Sequence, residues 1–119
     1  KYINTCNLFT LDMLKSVISK LDVFIGPDTG LIFVAEAFKI PCIEILGPVS
    51  PWAQPQNDRR FQKIKSSAEI DCYPCVKMGA NPRSCRNQLE LYECFKNTSP
   101  QSVFSVFEKM YKEGIIKNK

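Results

Sequence analysis

Residues 22–48 read DVFIGPDTGLIFVAEAFKIPCIEILGP, and the order of blocks within this stretch leaves few folds open. "DVFIG" is a short β-branched and aromatic run closed by Gly26-Pro27, the composition of a buried strand. "LIFVAEAFK" is too long for an average strand, carries Ala35, Glu36 and Ala37 inside an apolar segment, and stops before Ile40-Pro41, which predicts a buried helix. "CIEILG" is a second strand, closed by Gly47-Pro48. Strand, tight turn, helix and strand in so few residues form a βαβ unit, whose two strands must lie parallel and whose crossover is right-handed.

The turn in that unit is Gly26-Pro27-Asp28-Thr29-Gly30, five polar or turn-forming residues between two buried runs. In an open parallel sheet, ligands bind beyond the carboxyl ends of the strands, where each strand turns into its helix. Gly26 and Gly30 are expected to permit close backbone approach and unusual dihedrals, while Asp28 or Thr29 caps the helix and leaves its first amides pointing outward. Those amides and the helix dipole form a seat for phosphate. A well-made turn with an ordinary cap and no ligand satisfies the five residues equally well. Neither the dinucleotide glycine fingerprint nor the P-loop pattern occurs.

The rest of the chain adds helices and limits the chemistry. Thr10 is placed to cap a helix running to about Lys20, with Leu11, Leu14, Val17 or Ile18 and Leu21 at helical spacing and Asp12 in its first turn. Ser99 as N-cap and Pro100 at the first position open a terminal helix to about residue 113, with Val103, Phe104, Phe107, Met110 and Tyr111 on one face. At 119 residues, 45% apolar and 24% charged, the chain has the size and composition of one ordinary globular domain. Its longest apolar stretches fall well short of the roughly 20 residues a bilayer helix needs. It begins at Lys1 without Met, which suggests a piece of a larger protein. No His is present, which removes Ser-His-Asp and Cys-His arrangements and every His-ligated zinc site.

Two further features carry chemistry. Net charge is +4, and residues 59–86 hold seven basic side chains (Arg59, Arg60, Lys63, Lys65, Lys77, Arg83, Arg86) against Glu69 and Asp71. That excess either attracts an anionic partner, such as a phosphorylated substrate or a membrane surface, or forms a solvated face. Cys72, Cys75, Cys85 and Cys94 follow a C-x2-C, x9, C, x8, C pattern, while Cys6 and Cys42 stand apart. Four thiols suit a tetrahedral zinc site, a pair of disulfides, or simply buried free cysteines.

The stretch LDVFIGPDTGLIFVAEAFKIPCIEILGPVSP resembles the C-terminal nucleotide-sugar domain of glycosyltransferase family 9, the heptosyltransferase-like enzymes. The matching residues are Asp28, Thr29 and Gly30, then Ala35 and Ala37, then Gly47, Pro48, Ser50 and Pro51. The resemblance implies an α/β fold: the parallel-sheet, Rossmann-like half of a GT-B glycosyltransferase, with a Cys-containing loop segment and a C-terminal helix. It implies that residues 1–119 are a partial C-terminal domain, the N-terminal acceptor domain being absent from this chain. Such enzymes transfer a sugar, heptose from an ADP-heptose-like donor, to a lipopolysaccharide-type, lipid-linked acceptor at the cytoplasmic, inner face of the bacterial inner membrane. By this likeness Asp28, Thr29 and Gly30 line the donor's diphosphate and sugar, and no cofactor is required; no Asp-x-Asp metal motif occurs. The catalytic base belongs to the absent domain, so no catalytic residue is expected here and the fragment alone is expected to be inactive.

Members of that family often carry His three residues after the Gly of Asp-Thr-Gly, where this chain has Phe33. Phe33 and Trp52, which follows the second strand's Gly-Pro turn, are candidate donor-side residues, Trp52 either stacking on a ligand or packing on its Pro-rich loop. No nucleic-acid partner is expected of a transferase, and peripheral membrane association would follow from a lipid-linked acceptor. The competing readings are a non-catalytic relative, suggested by Phe33, and a four-cysteine zinc-binding interaction module on an α/β scaffold.

Overall fold

The computed structural model of the chain describes residues 2–48, 58–66, 69–75, 85, 87 and 89–117. These form, in order, α1 (Leu11–Ile18), β1 (Phe24–Pro27), α2 (Gly30–Ala37), β2 (Cys42–Ile45), β3 (Phe61–Ile64), α3 (Glu93–Lys96) and α4 (Pro100–Lys112). The βαβ unit is present, with β1 and β2 parallel from Phe24↔Cys42 to Pro27↔Ile45. Sequence reading did not anticipate β3, which pairs parallel with β2 from Cys42↔Phe61 to Ile45↔Ile64 and leaves β2 central. Its sequence, FQKI, has two long polar side chains in four residues, so neither an alternating nor an all-apolar pattern marks it.

The pleat of β2 sorts its side chains to opposite faces. Cys42 joins Ile18, Ile32, Ala35 and Ile40, the core beneath α1 and α2. Ile43, fully buried, joins Ile64, Met110 and Ile116, the core beneath α4. The sheet is therefore covered on both faces, as a parallel sheet requires. Ala35 has no exposed surface, which explains the small residue there, whereas Ala37 faces solvent.

The terminal helices start as the sequence predicts. Thr10 Oγ1 accepts the Met13 amide at 3.4 Å, and Ser99 Oγ accepts the Ser102 amide at 3.1 Å. The Asp12–Lys15 ion pair in α1 is solvent-exposed and contributes little. The predicted apolar face of α4 needs one correction. Met110 is buried with Val103, Val106 and Phe107 against the sheet, but Phe104 and Tyr111 are largely exposed. They flank Phe107 in a ladder of rings with centroids 6.1 and 6.3 Å apart.

Candidate functional site

Asp28, Thr29 and Gly30 occupy the carboxyl end of β1, where the strand turns into α2. Thr29 is the N-cap residue, extended at φ −145°, ψ 163°, yet its side chain makes no capping hydrogen bond. Its carbonyl accepts the Ile32 amide at 3.0 Å. No acidic residue stands in the first turn of α2, so the positive end of the helix dipole is not neutralised by the helix itself. Gly30 is exposed, and a methyl group added there would meet nothing within 4 Å. The expected unusual dihedrals are not present: among the described glycines the left-handed region is occupied by Gly114 alone. Gly26 is needed for space instead, since a side chain there would come within 3.0 Å of the Phe24 ring.

Phe33 is half-exposed, one turn along α2 from Gly30 on the helix's solvent side. Trp52 lies outside the described residues. An apolar groove of about 480 Å³ runs from Gly30 between the two helices, lined by Leu11, Leu14 and Lys15 of α1 and Leu31 and Val34 of α2.

Beneath this loop the sheet buries a charge that the sequence reading did not single out. Glu44 is 3% exposed, and neither of its carboxylate oxygens has a hydrogen-bond partner. In register it stands between Gly26 of β1 and Lys63 of β3. Burial raises its pKa; the Lys63 charge opposes that shift, and the Asp28 and Glu36 charges reinforce it. The signal in the sequence was a Glu between Ile43 and Ile45 in an otherwise apolar strand. Cys42, two residues before it, has its thiol pushed up to about 12 by burial and then by Glu36 and Glu44, and donates to the Ile40 carbonyl at 3.1 Å.

Among the described residues, Arg59, Arg60, Lys63 and Lys65 do not share one edge of the sheet. Arg59 and Arg60 precede β3 at its amino end, the opposite edge from the Asp28–Gly30 loop. Arg60 is engaged there: its Nε donates to both Asp58 oxygens at 3.0 and 2.9 Å, and its guanidinium lies 5.8 Å from the Phe61 ring centroid. The Arg60 side chain and amide hold the Asp58 carboxyl down to about 2. Lys63 lies beside Glu44, and Lys65 follows the carboxyl end of β3. Lys77, Arg83 and Arg86 fall outside the described residues.

The four cysteines of the C-terminal segment are half-buried and unbridged, while Cys6 is exposed. Cys94 has its thiol raised by burial and then by Cys75, Cys85 and Cys72. The Tyr92 amide donates to Cys85 Sγ at 3.4 Å. A cavity of about 530 Å³ opens between residues 69–72 and 87–93, with Cys72 on one wall and Asn87 and Glu93 on the other. Asn87 Nδ2 donates to Glu93 Oε2 at 2.8 Å. Among the described residues, no three Cys, Asp or Glu side chains already stand in ligating arrangement. Phe95 of α3 packs into the notch at Gly47, where an added methyl would fall 2.1 Å from its Cζ. This contact brings the cysteine segment to the carboxyl end of β2, the sheet edge that also carries Asp28, Thr29 and Gly30.

The pattern of glycosyltransferase family 9 (heptosyltransferase) matches residues 1–85. A lipooligosaccharide heptosyltransferase 2 of Campylobacter jejuni serotype O:6 is 29% identical over 112 residues, covering 90% of this chain and 31% of that protein. Its counterpart from serotype O:2 is 26% identical over 116 residues, covering 93% of this chain and 32% of the relative. The chain therefore spans about a third of the length of the curated relatives it matches. No solved structure matches it.

Proposed function

The chain belongs to glycosyltransferase family 9, and we propose that it forms the donor-binding part of a glycosyltransferase that moves heptose or a similar sugar from a nucleoside-diphosphate donor. The observation that carries this reading is the open start of α2. It lies at the carboxyl edge of a parallel sheet, with a Thr cap that leaves its hydroxyl unused and a Gly that leaves the approach clear. Thr29 and Gly30 offer the hydroxyl and helix-terminal amides to the diphosphate, and Asp28 faces the sugar hydroxyls. As the bond to the sugar breaks, negative charge grows on the departing diphosphate. Fixed amides and the helix dipole stabilise that charge without a metal ion, as an oxyanion hole does for a tetrahedral intermediate. Phe33 presents the donor with an apolar ring where related enzymes place an ionisable one.

The names of the two relatives support a lipopolysaccharide-type, lipid-linked acceptor and hence a reaction at the cytoplasmic face of a membrane. The acceptor and its base belong to parts of the enzyme beyond these residues, so this segment alone binds donor and does not turn over. Calorimetric titration with ADP, UDP and GDP tests the assignment. One nucleotide should bind, and Thr29→Ala should weaken it without lowering the melting temperature. Failure of all three to bind would sink the reading.

A further inference from the structure

Donor binding as described leaves Glu44 without a role, although the fold buries its carboxyl at 3% exposure with neither oxygen hydrogen-bonded. A buried charge without partners is costly and is avoided unless something depends on it. We propose, resting on the donor site assigned above, that Glu44 is a proton switch beneath that site: it takes up a proton as the diphosphate docks at the start of α2, and its ionisation weakens the diphosphate's hold as pH rises.

The sheet puts the carboxyl where such a switch must be. The pleat turns Glu44 to the same face as Cys42, the face that α2 covers. In register it stands beside Gly26, from which β1 runs through Pro27, Asp28 and Thr29 into α2. Among the described residues, the titratable groups around it are Asp28 from that turn, Glu36 from α2, Lys63 from β3 and Cys42 on its own strand. α4 lies on the other face of the sheet. Two of these neighbours are acidic and one is basic, and the Cys42 thiol, pushed up to about 12, stays neutral. Lys63 stands alongside in register, yet neither Glu44 oxygen accepts a hydrogen bond from it. An ionised Glu44 therefore leaves the group net negative beneath the seat where a diphosphate has to bind.

Two anions then compete for the positive end of the α2 dipole, the carboxylate from below and the diphosphate from outside. Their repulsion is screened far less through the interior than it would be between surface charges. A bound diphosphate thus strengthens the hold of Glu44 on a proton, and by reciprocity a protonated Glu44 strengthens diphosphate binding by the same factor. One proton passes from solvent to a Glu44 oxygen, and no bond to the ligand forms or breaks. Burial already lifts the Glu44 pKa above the ordinary glutamate range, which moves the switch toward neutral pH. Below that raised value Glu44 is neutral in the free and the bound protein, and affinity is highest. As pH rises through it the free protein ionises first, and affinity falls until the still higher value of the complex is passed.

The test is calorimetric titration of ADP, UDP and GDP from about pH 5 to about pH 9 into the unmodified protein and into Glu44→Gln. The ionisation of the nucleotide itself is common to both proteins and cancels in the ratio of their affinities. Across that window the unmodified protein should lose about tenfold in affinity relative to Glu44→Gln. Titrations in buffers of different ionisation enthalpy should find the unmodified protein taking up more proton on binding than Glu44→Gln does. Glu44→Met removes the carboxyl without adding an amide and should repeat the Glu44→Gln profile, which keeps the test open if the amide disturbs packing. A nucleotide that binds all three proteins with one pH profile would overturn the switch and leave the donor site standing. Binding of none of the three nucleotides to the unmodified protein would overturn the donor site and the switch together.

Discussion

α2 and α4 cover opposite faces of the same three strands, and they are built to different rules. α4 has well-made ends: a Ser99 cap with its hydrogen bond made, Pro100 at the start, Lys109 and Lys112 in the last turn, and Gly114 at φ 69° closing the helix, although it shares with α2 a first turn without an acidic residue. Ile115 returns its amide to the Met110 carbonyl at 3.0 Å to complete that ending. α2 ends in the same way, Ile40 donating to the Ala35 carbonyl at 3.0 Å, but the left-handed position is filled by Lys39 at φ 59°. It starts on a Thr hydroxyl that caps nothing and lies over the face of the sheet that buries Glu44. Sequences depart from local preference where function requires it, and these departures gather around one helix.

The largest effect that sharpens the contrast should come from α4. Met110 is 1% exposed, so Met110→Ala should cost about 2–5 kcal/mol in denaturant unfolding. Nucleotide affinity of the protein that remains folded should not change; a loss there would break the division between the two faces.

Glu44→Met should act in the opposite direction. Replacing a buried carboxyl that lacks partners with an apolar side chain of similar shape should stabilise by about 1–3 kcal/mol. The native pKa of Glu44 is raised, so at low pH, with the group protonated in both states, it imposes no ionic penalty. As pH rises from the ordinary glutamate range through the raised native value, the unfolded chain ionises first and stability is lost. That slope should be present in the unmodified protein and flattened in Glu44→Met. An unchanged slope would mean that Glu44 does not carry the burial penalty.

Next in size is the pair of N-caps. Ser99→Ala should lower stability by about 1 kcal/mol and leave nucleotide binding intact. Thr29→Ala should weaken nucleotide binding about tenfold or more, which corresponds to about 1.4 kcal/mol, and leave the melting temperature nearly unchanged. If Thr29→Ala destabilised as much as Ser99→Ala, the hydroxyl would be an ordinary cap. Smallest is Lys39→Gly, expected to stabilise by about 0.5 kcal/mol by relieving the left-handed backbone. Thermal unfolding of the single variant measures it.

The sequence made the β1–α2–β2 unit and the two capped helices legible because their signals are local: β-branched runs closed by Gly-Pro, and Thr or Ser before a periodic apolar face. What it did not make legible depends on partners far along the chain. β3 is a strand because β2 pairs with it, and α3 is a four-residue helix with no buried residue of its own. Gly26 was read as permitting close approach and unusual dihedrals and Gly47 as part of the turn closing β2; in the structure each makes room for a ring, one near in sequence and one distant. The place of Asp28, Thr29 and Gly30 at the strand-to-helix turn was visible from the turn itself, whereas a donor role for them came only from the family resemblance. Glu44 was not, because a charge in a short strand declares itself only once burial is known.

The seat of Phe95 at Gly47 has a consequence for how the protein comes apart. Neither core cluster contains a residue of α3, so the segment around it can lift away while both faces of the sheet stay packed. Native proteins open first through such units, whose free energy of release is only a fraction of the global value. A seam that can open independently of the two cores therefore runs beside the sheet edge that carries Asp28, Thr29 and Gly30, with Cys94 next to it.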